Sequence, residues 1–144
     1  MSRMAGLLKY VAMALTLLIV STTVPADDLT GAKVLLCATA TVSVCSADGE
    51  CTGGLMAWDL NIPQFIEVDL AKKSLSTTKA SGENRITPIK SLERKNGLII
   101  LHGAEGGRAF SWVITEETGL ATISVAKDGQ GIVVFGACTP MPGR

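Results

Sequence analysis

Four glycine-bearing turn signals divide the second half of this chain at nearly even intervals: Asn96-Gly97, Gly106-Gly107, Thr118-Gly119 and Asp128-Gly129. They recur roughly every ten residues, with β-branched and aromatic runs between them, which is the pattern of consecutive hairpins. Asn-Gly and Asp-Gly suit the type I′ turn, because both central residues take positive φ, which glycine and asparagine tolerate best. The predicted strands are 98–102, 108–115, 120–126 and 132–138. Upstream, 65–70 and 74–78 flank a further turn at 71–73, a short strand near 89–94 follows Pro88, and the first strand is 34–45. The fold class is therefore all-β, with about eight antiparallel strands and no amphipathic helix after residue 26.

Strands of this length in a meander close on themselves or pack as two sheets, because an open edge invites aggregation. A small up-and-down barrel or half-open clam is the preferred architecture, and a small sandwich is the second. The aromatic residues of this region are only Trp58, Trp112, Phe65, Phe110 and Phe135, so the core is mainly Val, Ile, Leu and Ala. That predicts a narrow barrel filled by its own side chains. Alternation in the first strand sets Leu36, Ala38, Ala40, Val42 and Val44 on one face, expected to be the core face. Cys37, Thr39, Thr41, Ser43 and Cys45 share the other, expected to face outward. Phe110, Trp112 and Ile114 lie together, and the runs 98–101 and 132–135 are apolar on both faces, as in central strands.

Residues 1–26 carry the parts of a secretion signal: a basic start with Arg3 and Lys9, an apolar run over 11–20, and a small-residue tail ending Val24-Pro25-Ala26. The run is shorter than the roughly 20 residues of a membrane span. The expected organisation is a signal helix in 1–26 and a single β domain in 27–144, periplasmic or secreted, with no membrane attachment after cleavage. Loss of Arg3 and Lys9 from 13 basic residues leaves 11 against 13 acidic ones, a net charge of about −2. Nothing in that balance favours nucleic acid, which needs a basic stripe to release counterions.

An oxidising compartment makes Cys37, Cys45, Cys51 and Cys138 candidate cross-links. Four cysteines allow three pairings, of which Cys45–Cys51 with Cys37–Cys138 is preferred. Asp48-Gly49 can turn the chain between the first pair, and the second would join the first strand to the last. The longer loop is expected to contribute on the order of 4 kcal/mol in the chain-entropy model. The spacing matches no common zinc pattern and contains no Cys-x-x-Cys, so neither a metal nor another cofactor is expected.

The most site-like stretch holds His102, Glu105 and Arg108 among three glycines. A phosphate-cradling loop would be followed by a helix and a Lys-Ser/Thr pair, whereas a strand follows here. The plain reading is a glycine-rich hairpin with solvated Glu105 and Arg108. One histidine without an identifiable nucleophile is poor ground for acyl transfer. Ser76 and Lys79 match Ser-x-x-Lys only by letter, and adjacent Glu116 and Glu117 do not span a cleft as glycoside hydrolysis needs. No catalytic residue is expected. Between 53 and 63, Leu55, Met56, Trp58, Leu60 and Ile62 are too apolar for a free loop; they either fold over a barrel end as a lid or dock a partner. The candidate binding surface is Trp58, Met56, Leu55, His102, Glu105 and Arg108.

The stretches 63–75, 87–91, 106–114 and 134–140 resemble a group of small secreted proteobacterial proteins of unassigned function. A weaker likeness is to the periplasmic inhibitors of c-type lysozyme. That family implies a small barrel with a disulfide between early and late strands and a Ser-Ala-Ser-Gly loop that enters the lysozyme active site. The match is Lys79, Ala80, Ser81 and Gly82, with lysine where the family has serine and Asn84, Arg85 and Ile86 where an aromatic is expected. The expected function is a non-enzymatic binding or interaction module with a partner in the envelope. The alternatives are an inhibitor of lysozyme-type hydrolases and an envelope hydrolase whose site assembles only in three dimensions.

Overall fold

The computed structural model describes residues 28–81 and 83–141. The expected signal helix lies outside them. Among the described residues nine antiparallel strands form: β1 (Val34–Cys45), β2 (Cys51–Met56), β3 (Phe65–Asp69), β4 (Ser74–Thr77), β5 (Ile86–Lys95), β6 (Leu98–Glu105), β7 (Arg108–Thr115), β8 (Leu120–Lys127) and β9 (Gln130–Pro140). The sheet runs β3 to β9 in order and closes through β1, which pairs with β9 on one side and β3 on the other. The result is a closed eight-stranded barrel. The ninth strand, β2, takes over the far half of β1 where β3 leaves off, from Thr41↔Met56 to Cys45↔Cys51. Residues read from sequence as loop after Cys51 are thus strand up to Met56, then a 3-10 turn over Ala57–Leu60.

Asn96-Gly97, Gly106-Gly107 and Asp128-Gly129 all hold positive φ at both positions, as type I′ hairpins require. Strand β5 begins before Pro88 rather than after it. Residues 86–88 pair with β4 only, and pairing with β6 starts at Ile89, so the proline sits where a missing donor is tolerated.

The expected faces of β1 are corrected by a β-bulge. Against β9, Thr39 pairs with Gly136 and Thr41 with Phe135, so Ala40 is an extra residue. Inward positions are Leu35, Cys37 and Thr39 before the bulge and Val42 after it, all buried. Leu36 and Ala38, expected in the core, are only half-buried, and Ala40 is exposed. The bulge depends on close backbone approach: a Cβ on Gly136 would lie 2.3 Å from the Ala38 carbonyl oxygen. Cys37 and Cys138 face each other across the closing β1–β9 seam and are disulfide-bonded inside the barrel, rather than outside it. Cys45–Cys51 is the second disulfide and ties β2 to the end of β1.

One barrel end is plugged. Segment 28–33 crosses it and inserts Leu29, which is fully buried beside Leu35, Ile99 and Ile114 in one continuous core. Leu29 N–H donates to the Glu116 carbonyl at 2.8 Å. The Arg94 guanidinium donates to the Leu29 carbonyl at 2.6 Å and the Ala32 carbonyl at 3.1 Å, and its Nε pairs with Glu116. The Leu29 and Ala32 carbonyls and the Leu29 N–H that the strap brings to this end therefore all meet partners, as burial demands.

Candidate functional site

Antiparallel order gathers the longer connections, 46–50, 57–64 and 78–85, at the opposite end, together with the turns at 106–107 and 128–129. There the interior opens. A cavity of about 90 Å³ is floored by Ile66, Leu75, Trp112, Ile123, Ile132 and Val134. Its mouth is formed by Arg85, Thr87, Glu105 and Arg108, with Ile62 and Pro63 reaching over from the 3-10 turn. The barrel is thus filled by its own side chains over most of its length, with a small cavity at this end.

Two local features keep the space open. Gly103 is an inward position of β6 opposite Phe110 of β7, and a Cβ there would lie 2.3 Å from Phe110 Cζ. The aromatic ring lies over the glycine, so one side chain serves both positions. The second feature is inward Thr39, whose hydroxyl donates to the Pro63 carbonyl at 3.0 Å while its N–H donates to the Gln64 carbonyl at 2.9 Å. This fixes 61–64 at the rim, and Asn61 in the left-handed conformation ends the 3-10 turn just before it.

The mouth is ionic. Arg85 grips Glu105 through two hydrogen bonds, Nε to Oε1 at 3.2 Å and Nη2 to Oε2 at 3.0 Å, and reaches Glu83 from Nη1 at 3.4 Å. Thr77 steadies this loop: its hydroxyl donates to the Glu83 carbonyl at 2.6 Å and accepts from Arg85 N–H at 3.1 Å. The Arg85 hydrogen bonds hold the Glu105 carboxyl below the usual range, assisted by Thr87 and by the charge of Arg108. Glu105 and Arg108 are half-buried, not solvated as the plain hairpin reading had them. Arg108 lines the cavity, yet among the described residues it has neither a hydrogen bond nor a carboxylate within ion-pair distance.

The sequence-selected residues separate into three places. Glu105 and Arg108 stand at the mouth. Leu55 is half-buried against the core beneath the 3-10 turn, whereas Met56 and Trp58 on the same segment are exposed, Trp58 at 56 %. The segment therefore combines lid and surface: Leu55, Ala57, Leu60 and Ile62 pack on the core and its other apolar side chains point away. His102 is exposed on the outer wall, paired in register with Ser91 and Ser111 and pointing away from the cavity. Arg85, Thr87, Phe110 and Trp112 belong to the mouth and floor without having been selected. Only the inward parity of Phe110 with Trp112 hinted at two of them.

No family model, curated protein or solved structure matches this chain. The site is therefore read from its own chemistry. A second, wider depression of about 400 Å³ lies at the plugged end between 31–33, Leu70, Leu92 and Arg94. Its guanidinium is already committed to Glu116 and two carbonyls, so it presents no unused donor comparable to Arg108. Both disulfides together consume all four thiols, leaving no thiolate for a metal or a nucleophile.

Proposed function

We propose that this is a non-catalytic binding domain of an oxidising, extracytoplasmic compartment that takes its ligand at the open barrel end. The observation that carries this reading is an apolar cavity whose mouth bears fixed charges. Preformed apolar pockets with a few convergent polar groups are the usual form of a small-ligand site. What supports a non-catalytic role is the placing of the groups a hydrolase would use. His102 stands on the outer wall, and the mouth carboxylate is held ionised by Arg85 instead of poised to exchange a proton. Two disulfides support the compartment, since such bonds persist where thiols are not kept reduced.

Titration with a small neutral apolar probe, hexan-1-ol, followed by tryptophan fluorescence tests this reading. Saturable one-to-one binding, abolished when Val125→Trp fills the cavity that Val125 lines, is the expected result; absence of saturable binding would refute it. The 78–85 loop bears on the inhibitor alternative, because Lys79 and Ser81 are exposed in a 3-10 turn beside the mouth, with Gly82 outside the described residues. Micromolar protein is expected to leave c-type lysozyme active. Inhibition that is lost on substitution of Ser81 would move the function to this loop.

A further inference from the structure

We infer that the ligand of this mouth is a short aliphatic carboxylate, its tail in the cavity and its head on Arg108; this rests on the binding reading above. The sign of the head group follows from which mouth groups are already used. Glu105 has both carboxylate oxygens engaged by Arg85, and Arg85 is further engaged by Glu83. A cationic ligand would meet a carboxylate whose charge is already balanced by the Arg85 guanidinium. Arg108, half-buried beside Phe110, has its guanidinium donors unspent among the described residues. A carboxylate can accept two parallel hydrogen bonds from such a group, the strongest pairing open to it.

The length of the tail follows from the floor. A cavity of about 150 Å³ accommodates benzene, so 90 Å³ accommodates about four carbons. Deeper penetration is blocked, because Leu29, Leu35, Ile99 and Ile114 fill the far half of the barrel with no exposed surface. The lining is mostly apolar, with Phe110 and Trp112 as its aromatics and Asn61, Ser76, Thr77 and Thr87 as its uncharged polar members. Together these favour a monocarboxylate of roughly four to six carbons over long-chain lipids and cations.

The test is a titration of the disulfide-intact Trp58→Phe protein, in which Trp112 on the cavity floor is the one remaining tryptophan. Acetate, butanoate, hexanoate, octanoate and hexan-1-ol serve as probes. Affinity is expected to rise about fourfold per methylene up to hexanoate and then level off. Hexanoate should bind about tenfold more tightly than hexan-1-ol, and Arg108→Gln should erase that difference. Raising the ionic strength should weaken hexanoate alone, which tests the same point without a substitution. Equal binding of acid and alcohol would overturn the anion assignment while leaving the cavity as a binding site. A rise continuing through octanoate would overturn the short tail. No binding of any probe, the alcohol included, would remove the binding reading itself.

Discussion

Each end of this barrel is spanned by an arginine–glutamate pair, yet one end is shut and the other is open. At the plugged end Arg94 pairs with Glu116 and also donates to two backbone carbonyls of the strap that carries Leu29 into the core. At the mouth Arg85 pairs with Glu105 and Glu83, joining two loops without drawing any chain across the interior. The difference teaches that the ion pair is not the closure. Closure comes from a buried apolar plug, and the guanidinium only satisfies the carbonyls that the plug brings with it. At the mouth the 57–64 segment reaches over only with half-buried side chains such as Ile62, and the same side-chain chemistry leaves a rimmed cavity.

The comparison can be broken most directly by truncating the plug. Leu29→Ala removes a fully buried side chain and should cost about 2–5 kcal/mol in urea unfolding, whereas Ile62→Ala at the half-buried rim should cost about 1 kcal/mol. Equal costs would mean that the two ends are packed alike. A smaller effect is expected where the mouth is filled. Gly103→Ala drives a Cβ into the Phe110 ring and should destabilise by about 1–3 kcal/mol while weakening ligand binding, both measurable on one preparation.

The two arginines sharpen the contrast further. Arg94→Gln should cost about 1–2 kcal/mol, because it leaves strap carbonyls without their donor; Arg85→Gln should cost 1 kcal/mol or less, as expected of a pair still in partial contact with water. Denaturation midpoints of the two variants decide it. The smallest effect is in pH dependence. The Glu105 pKa is lowered in the folded state, so its contribution is complete above the unfolded glutamate value of about 4.3 and is lost as pH falls through the lower folded value. Glu105→Gln should therefore flatten the loss of stability on acidification below that point. An unchanged acid profile would show that the Arg85 contact does not favour the ionised form.

The same contrast explains what the residues disclosed in advance. Hairpins at 96–97, 106–107 and 128–129 were legible because two-residue turns with positive φ have a local chemistry. The pairing of Cys37 with Cys138 was legible because a chain of hairpins brings its first and last strands together. Its inward orientation was not. One extra residue, Ala40, reverses the alternation of β1, and the signal for it is Gly136, almost a hundred residues away on a strand whose register is set by closure. The mouth was half legible. Glu105 and Arg108 stood out in a glycine-rich turn, but their partner Arg85 comes from a different connection and carries no pattern of its own. The missing side chain at Gly103 lets the Phe110 ring lie over β6 at the mouth, and such an absence in one strand has meaning only against the ring opposite it.

Amide chemical-shift mapping during a hexanoate titration tests the central claim most directly. Shifts are expected at Ile62, Arg85, 103–108 and Phe110, with the 29–33 strap unmoved. Shifts confined to the strap, or to the outer wall around Trp58 and Phe135, would contradict an open-ended barrel that binds at its mouth.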